Sequence, residues 1–339
     1  MSRIGVVTNP NARKNRADRE RIARITSILG DQGVVRETRT LEELPATVDE
    51  MAREGVRFWV GDGGDGTLHW LMNTALAQAR SAGAQQPLMV PTNGGTIDFV
   101  AKKAGIHGSA EVILRSLVNA ERRQRPFPVR HLDSLEFRGE TLDGDPFHRI
   151  GFVSALTGIG QRFFDKLYQY DHAGASSIVR VLAKIIASWG INATPLHRLD
   201  AIPSELKSYG YEVFQRTRAT VSVDGEALPW SEFGELSVGA IDINLGGVVR
   251  FFPRASEPGT LHFQGGYTSL KEAVINVPRM IAGQPIRGAG LTDGSFRELC
   301  VDVHEGDALH PVIDGEQFRN LKRLVITAGP KIAVPAVTH

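Results

Sequence analysis

One glycine-rich loop limits the possible folds of this chain more than any other feature of its sequence. Residues 61–66 (GDGGDG) separate an apolar run at 56–60, which predicts a strand, from an amphipathic run at 68–79, which predicts a helix. Glycines allow successive backbone N–H groups to turn inward around an anion, and the following helix adds its positive end. The loop therefore predicts a phosphate site, with a simple Gly/Asp turn as the alternative.

Two side chains of this loop favour phosphate chemistry. Thr67 can donate its hydroxyl to a phosphate, whereas Asp65 places an acid where phosphates would bind. An acid at such a position makes chemical sense if it holds Mg²⁺ or accepts a proton from a nucleophile.

The first third of the chain alternates between strand and helix patterns, which favours a mostly parallel sheet covered by helices on both faces. Strands are predicted at 3–8, 34–35, 56–60 and 87–90, and helices at 16–29, 41–54, 68–79 and 97–104. Two more polar loops, 9–14 and 91–96, follow predicted strands. Since ligands bind outside the carboxyl ends of parallel strands, the three loops together predict a nucleotide site. The chain lacks GxxxxGK[ST] and GxGxxG, which argues against a P-loop ATPase and a dehydrogenase.

The pattern changes beyond about residue 120. Residues 121–130 carry four arginines and two prolines and are predicted to form a linker. Short alternating segments follow at 131–137, 219–223, 236–244, 260–263 and 299–303, which predicts an antiparallel β-rich domain.

Composition excludes some classes of protein. With 39 basic and 38 acidic residues, the formal charge of +1 provides no broad field for nucleic acid. The single cysteine, Cys300, cannot form an internal disulfide, and no signal-peptide core is evident, so a reducing, cytoplasmic location is expected. The apolar run at 177–191 contains Arg180 and Lys184, so it does not predict a membrane span. It predicts a core helix, with a lid over an acyl chain or a bilayer-contacting surface helix as alternatives.

Taken together, several short motifs resemble the catalytic domain of the diacylglycerol kinase superfamily, which includes sphingosine, ceramide and bacterial lipid kinases. They are Asn9-Pro10, Gly63-Gly64-Asp65-Gly66-Thr67, Gly94-Gly95-Thr96, Pro253-Arg254-Ala255, Gly259-Thr260-Leu261 and Asp314-Gly315-Glu316. The resemblance implies an α/β N-terminal domain like that of NAD kinase and phosphofructokinase, with a mostly parallel sheet. It also implies a β-rich, sandwich-like C-terminal domain. The expected boundaries are 1–125, 126–320 and a final segment, 321–339, that returns to the first domain.

The resemblance also implies an ATP- and Mg²⁺-dependent lipid kinase that phosphorylates a hydroxyl of a lipid such as diacylglycerol or a sphingoid base. The residues expected at the nucleotide are Asn9, Asn11, Arg13, Thr38 (with Thr40 as the alternative), Gly63, Gly64, Asp65, Gly66, Thr67, Gly95 and Thr96. The expected partners are the lipid and, transiently, a membrane surface; a homodimer is left open.

Two carboxylates compete for the role of general base, since an alcohol is a poor nucleophile until its proton is removed. Glu316 corresponds to the glutamate proposed as base in bacterial members, and Asp65 corresponds to the aspartate given that role in sphingosine kinases. A base at Glu316 would have to serve the same active site as the glycine loop. Another Asp-Gly-Glu, at 224–226, is predicted to be a hairpin turn.

Some positions depart from the family pattern. Pro258 replaces the aspartate that holds a structural Mg²⁺ in bacterial members, so no structural metal site is expected. His69-Trp70 stands in place of Asn-Glu, with His69 expected to pack on Trp70, and Asp98 replaces an asparagine. The alternatives are an NAD kinase-like enzyme for a small molecule and a catalytically weak nucleotide- or lipid-binding protein.

Overall fold

The structure is a computed structural model that describes residues 3–10, 15, 18, 20–95, 97–124, 126, 128–170, 175–245 and 249–336. The chain forms two compact units. The first contains the chain up to Leu132 together with the segment from Lys331 onward, and the second runs from Asp133 to Pro330. Compared with the expected boundaries, the division after 125 moves to Leu132. The returning segment starts at Lys331 instead of 321, because residues 321–328 form a strand of the second unit.

Parallel strands alternate with helices in the first unit. The elements are β1 (Arg3–Thr8), α1 (Arg21–Leu29), β2 (Gly33–Glu37), α2 (Leu44–Arg53), β3 (Val56–Asp62), α3 (Asp65–Ser81), β4 (Leu88–Pro91), α4 (Phe99–Ala104), α5 (Ala110–Arg122) and β5 (Val129–Leu132). Four strands form a parallel sheet in the order β2-β1-β3-β4. The predicted α/β fold of this unit is confirmed.

Helix α3 begins three residues earlier than the sequence pattern predicts. Strand β3 continues through Asp62 and α3 starts at Asp65, so only Gly63 and Gly64 lie between them. The residues from Asp65 to Thr67 therefore belong to the first turn of the helix, where backbone N–H groups have no partner within the helix.

The second unit is built from antiparallel strands. Its elements are β6 (Leu135–Thr141), β7 (Pro146–Gly151), β8 (Val153–Gly158), α6 (Ile159–Leu167), α7 (Ala175–Asn192), α8 (Ser204–Val213), β9 (Thr217–Val223), β10 (Glu226–Ala227), β11 (Glu232–Phe233), β12 (Glu235–Gly239), β13 (Ile243–Leu245), β14 (Val249–Phe251), β15 (Leu261–Gly266), α9 (Leu270–Ile281), β16 (Leu291–Phe296), β17 (Glu298–Val303), β18 (Val312–Ile313), β19 (Glu316–Gln317) and β20 (Leu321–Ala328). One sheet has the order β10-β9-β17-β20-β6-β7, with β11 beside β9, and the other has the order β16-β15-β12-β8-β18-β19. The predicted β-rich C-terminal region is confirmed.

A single apolar cluster joins the two large sheets of this unit. Alternate residues of their strands, among them Phe137, Phe233, Leu236, Val301 and Leu324, are fully buried in it. This alternation is the pattern of a sheet with one face on a core.

The last strand, β21 (Ile332–Pro335), pairs antiparallel with β5 in the first unit. All four of its residues are buried. In the described part of the chain, no helix has the length and apolar character needed to cross a bilayer.

Candidate active site

The described residues of the three predicted phosphate-binding loops lie at the carboxyl edge of the parallel sheet. From β1 the chain continues to β2 on one side, and β3 lies on the other side, so the direction of strand addition reverses between β1 and β3. This is the position at which open α/β sheets bind ligands. Asn9 follows β1 and its backbone N–H donates to the carbonyl of Asp62 at the end of β3 (3.4 Å), while the N–H of Thr38, after β2, donates to Thr8 (3.1 Å).

The loops that follow β3 and β4 are in direct backbone contact. The N–H of Gly94 donates to the carbonyl of Gly63 (3.1 Å). A Cβ atom on Gly64 would lie 2.8 Å from the Cα of Gly95, and one on Gly95 would lie 2.5 Å from the Cα of Gly64. Side chains at these two positions would push the loops apart, so the glycines are required by the packing of the loops.

Thr67 and Asn9 come together over the glycine loop. The Nδ2 of Asn9 donates to the Oγ1 of Thr67 (3.5 Å), and a Cβ on Gly63 would lie only 2.2 Å from that same oxygen. Gly64 is the N-cap of α3 and offers no side-chain cap to the first turn. An uncapped, 17-residue helix thus begins beside two polar side chains, and this arrangement suits an anion such as a nucleotide phosphate.

Asp65 is held by the backbone of the next helix. Its Oδ2 accepts from the N–H of Phe99 (3.2 Å) and its Oδ1 accepts from the N–H of Val100 (3.3 Å). The carboxylate therefore caps the start of α4. This position gives Asp65 a structural contact that sequence reasoning did not foresee, in addition to the predicted role beside phosphates.

A buried ion pair supports the base of the loop, and it too was missed from the sequence. Asp62 is fully buried, and its two oxygens accept from the Nε (2.9 Å) and Nη2 (2.6 Å) of Arg21. The Nδ2 of Asn15 donates to the carbonyls of Asp62 and Asn9, both at 2.9 Å. Arg21 lies 41 residues from Asp62 in a helix whose pattern shows only that one face is apolar, so no local signal could have paired them.

Thr92 is a further residue at this site that sequence reasoning did not single out. Its Oγ1 donates to the carbonyl of Gly61 (2.9 Å) and accepts from the N–H of Gly63 (3.3 Å), which ties β4 to the glycine loop. The predicted residues Asn11, Arg13 and Thr96 lie outside the described residues.

The two unusual residues of this region have packing roles. His69 is buried, and its ring contacts the edge of Trp70 with the ring centroids 5.6 Å apart, as expected. Asp98 has a left-handed backbone (φ 51°), and its Oδ1 accepts from the N–H of Gly95 (2.8 Å). Asp98 therefore helps to hold the second glycine loop.

In the second unit, Glu316 lies at the end of a tight hairpin. Strands β18 and β19 are joined by Asp314 and Gly315, whose φ angles of 51° and 90° are those of a type I′ turn. The buried Oδ1 of Asp314 accepts from the N–H groups of Phe152 (2.8 Å) and Val153 (3.0 Å). These bonds tie the turn to the neighbouring strand and fix the backbone from which the partly exposed Glu316 extends.

Helix α6 braces the same turn from another side. The hydroxyl of Tyr168, the residue that ends this helix, donates to the carbonyl of Gly315 (2.8 Å). The Nε2 of Gln317 donates to the carboxylate of Asp165 (2.6 Å). The turn is thus held from both sides by residues far away in the sequence.

The second Asp-Gly-Glu forms a turn of the same type, as predicted. Asp224 and Gly225 have φ angles of 52° and 85° and join β9 to β10. The Oδ1 of Asp224 accepts from the N–H groups of Arg297 and Glu298, both at 2.8 Å, and these bonds lower the pKa of Asp224. All three residues of this turn are exposed, Glu226 included.

Among the described residues, no group of three or more His, Cys, Asp or Glu side chains is arranged to hold a metal ion. In the segment with Pro258, the N–H of Gly259 donates to the carboxylate of Asp133 (2.6 Å).

One part of the chain is similar to a known protein family. Residues 3–127 match the family model of the diacylglycerol kinase catalytic domain. The predicted resemblance to this superfamily is confirmed over these residues. No protein with a curated description matches the chain.

Solved structures share the fold over nearly the whole chain. A provisionally named diacylglycerol kinase from Bacillus anthracis str. Sterne has a TM-score of 0.66 at 14% identity and covers 98% of this chain and 96% of its own. A diacylglycerol kinase from the same organism has a TM-score of 0.60 at 13% identity, with 99% and 98% covered. Yeast NADH kinase, complexed with NADH, has a TM-score of 0.51 at 10% identity, with 100% and 84% covered. Together with the family match, these structures show that the chain has the fold of the diacylglycerol kinases and of NADH kinase.

Proposed function

We propose that this protein is an ATP- and Mg²⁺-dependent kinase that phosphorylates a hydroxyl group of a lipid such as diacylglycerol or a sphingoid base. The observation that carries the proposal is the uncapped start of α3 at the switch point of the sheet, beside Asn9 and Thr67. The match of residues 3–127 to the diacylglycerol kinase catalytic domain supports the same conclusion.

The residues around α3 would bind the phosphates of the nucleotide. The backbone N–H groups of the first turn, from Asp65 to Thr67, would donate to phosphate oxygens. The N-cap residue, Gly64, has no side chain that could accept these hydrogen bonds instead. Asn9, Thr38 and the backbone of Gly95 complete the described part of this site, and Asn11, Arg13 and Thr96 remain predicted members of it. Bound Mg²⁺ would offset the negative charge that develops on the transferred phosphoryl group.

The reaction transfers the terminal phosphoryl group of ATP to an alcohol oxygen. The alcohol O–H bond and the bond between the β,γ-bridging oxygen and the γ-phosphorus break, a new O–P bond forms, and ADP leaves. We assign the proton to the carboxylate of Glu316. Asp65 is the weaker candidate, because both of its oxygens already accept backbone hydrogen bonds that hold α4.

Two helices of the second unit favour a lipid as the acceptor. Within α9, all of whose residues the structure describes, the buried side chain is the polar Asn276, whereas Ile275 and Ile281 are 57% and 55% exposed. Asn276 is held inward by the carbonyls of Glu272 (2.8 Å) and Arg287 (2.7 Å). A helix that turns its isoleucines outward suits an apolar surface such as lipid.

Helix α7 has a similar outer face. Ile178, Val181 and Ile185 are buried, as a core helix requires, but Val179 and Ile186 are exposed. The side chains of Arg180 and Lys184, both above the ring of Tyr170, add positive charge to this helix. We propose that α7 and α9 make transient contact with a membrane surface that carries the substrate.

The direct test is transfer of label from [γ-³²P]ATP with Mg²⁺ to a panel of lipids, followed by extraction into organic solvent. NAD and NADH in parallel reactions test the small-molecule alternative, which the fold shared with yeast NADH kinase makes worth including. Gly64→Ala should lose transfer because the new Cβ would lie 2.8 Å from the Cα of Gly95, whereas Gly190→Ala, with no atom within 4 Å, serves as control. Absence of label in every lipid would overturn the proposal, and label in NAD or NADH alone would favour the alternative.

Removal of metal tests the assignment of Mg²⁺ to the nucleotide. Without nucleotide, the protein should melt at nearly the same temperature with and without Mg²⁺, because the described residues provide no metal cluster of their own. A stabilisation of several degrees by Mg²⁺ alone would reveal a structural site instead, since a ligand that binds only the folded state raises its stability.

A further inference from the structure

A polar cavity of about 390 Å³ lies within the second unit, and the proposed kinase chemistry does not use it. This volume falls within the range of about 300–1,000 Å³ that is typical of ligand pockets. Six lining residues carry the argument: Leu142, Gln161, Arg162, Arg216, Asp307 and His310.

Two guanidinium groups line this cavity, and neither forms an ion pair with any described residue. Arg162 donates from Nη1 to the carbonyl of Gln215, and burial lowers its pKa. Arg216 lies 3.6 Å from the ring centroid of Tyr267, and its buried Nε has no hydrogen-bond partner. A partly buried cation without a directly paired carboxylate is costly, so an anion that enters the cavity would be stabilised.

The nearby carboxylates are already engaged. The Oδ2 of Asp307 accepts from the backbone N–H (3.1 Å) and the Nε (2.8 Å) of Arg218. Asp165, which also acts on Arg162 electrostatically, accepts from Gln317 (2.6 Å) and Gln161 (3.3 Å). Asp165 and Asp307 offset part of the charge of Arg162, and neither lies within ion-pair distance of it or of Arg216, so both guanidinium groups can still donate to a ligand.

His310 adds a neutral donor to the cavity. Its Nδ1 accepts from the backbone N–H of Asn320 (3.2 Å), so in the neutral ring the proton resides on Nε2. Burial and the charge of Arg319 lower its pKa, which favours the neutral ring. The cavity therefore combines two guanidinium groups with the N–H donor of His310. These donors can bind the oxygens of a phosphate.

We propose that this cavity binds a phosphate-type anion, either free phosphate or the phosphorylated head group of a lipid, between Arg162 and Arg216. The proposal is independent of the kinase activity, because it depends on the second unit alone. It would give the protein an anion site in addition to the nucleotide loop.

Calorimetric titration of the full chain with inorganic phosphate, at an ionic strength held constant with chloride, tests the binding of free phosphate. Flotation with phosphatidylcholine vesicles, with and without phosphatidic acid, tests the binding of a phosphorylated lipid head group. Leu142 is 50% exposed at the cavity, so Leu142→Glu should fold and place a repelling carboxylate there, and Leu142→Gln is its uncharged control. We expect Leu142→Glu to weaken anion binding by about 10-fold or more while Leu142→Gln retains it.

Arginine variants localise the site within the unit. Arg162→Gln and Arg216→Gln should each weaken binding by about 10-fold or more, whereas Arg250→Gln, which removes a charge paired with Asp242 outside the cavity, should not. Melting curves without phosphate establish that each variant is folded. Binding of phosphate alone identifies a free anion, and binding of phosphatidic acid vesicles identifies a head group. The proposal is overturned if neither binds, or if binding is the same in Leu142→Glu and both arginine variants as in the original protein.

Discussion

The two Asp-Gly-Glu turns of the second unit have the same sequence and the same backbone but different surroundings. In both, the aspartate and the glycine adopt positive φ angles, and one aspartate oxygen accepts two consecutive backbone N–H groups of another segment. Asp314 is 2% exposed, whereas Asp224 is exposed. The turn at 314–316 also receives a hydrogen bond from the hydroxyl of Tyr168.

This comparison teaches that the turn alone does not make a site. An exposed glutamate on an exposed turn has no special chemistry, whereas a glutamate on a turn that is fixed from two sides is held in a defined position, as a catalytic base requires. The assignment of Glu316 to the active site of the glycine loop stays a prediction, and the following experiments are ways to break it or to make it sharper.

The largest effect is expected for a third aspartate of this kind, Asp65, whose carboxylate also accepts two consecutive N–H groups. Asp65→Asn keeps the shape of the side chain but removes the negative charge that would hold Mg²⁺ beside the phosphates or accept a proton, so phosphoryl transfer should fall by at least ~10²-fold with the fold retained. Measuring both the rate of phosphoryl transfer and the melting temperature of the variant distinguishes a loss of catalysis from a loss of stability. Near-normal turnover would leave Asp65 as a helix cap only.

The next prediction concerns the free energy of unfolding, which should depend more on Asp314 than on Asp224. Asp314→Ala leaves the N–H groups of Phe152 and Val153 without their buried acceptor, and we expect a loss of about 2–4 kcal/mol in the free energy of unfolding. Asp224→Ala should cost only about 1 kcal/mol, since water can reach the exposed partners. Urea denaturation of both variants provides the comparison, and equal losses would contradict the difference in burial.

Low pH should also reduce the stabilising contribution of the exposed turn at 224–226. The folded-state pKa of Asp224 is below its ordinary value of 3.8, so its stabilising contribution is present above that value and is lost as the pH falls through the lowered pKa.

A smaller effect is expected at Tyr168. Tyr168→Phe keeps the ring and removes the hydroxyl that donates to Gly315, and a hydrogen bond of this kind contributes about 0.5–1.5 kcal/mol. If the turn positions the base, turnover should fall by about 2- to 10-fold with the KM for ATP unchanged. Tyr211→Phe, at another exposed tyrosine of this unit, is the matched control. Identical kinetics for Tyr168→Phe and the control would show that the brace does not matter to catalysis.

The local parts of this fold were predictable from the sequence, because their signals are local. The apolar run of β1 ends at the predicted residue, and the glycine loop lies between the predicted strand and helix. The hairpin at 224–226 was predicted because the Asp-Gly dipeptide favours the required φ angles.

The parts that were missed depend on contacts between distant segments. Arg21 and Asp62 lie 41 residues apart, and only the fold buries them together as an ion pair. The capping of α4 by Asp65 joins residues 34 apart, and α9 buries its asparagine instead of its isoleucines. Periodicity reports which face is apolar, but not whether another element covers it, so it could not reveal these features.

The most direct test of the account compares Glu316→Gln with Glu226→Gln in the same lipid phosphorylation assay, together with calorimetric measurement of ATP affinity. Both substitutions preserve size and remove one charge from turns of the same geometry. The account predicts that Glu316→Gln lowers turnover by at least ~10²-fold with ATP affinity almost unchanged, because the loss falls on the transition state, and that Glu226→Gln has little effect. Full activity in Glu316→Gln with loss of activity in Glu226→Gln would contradict it.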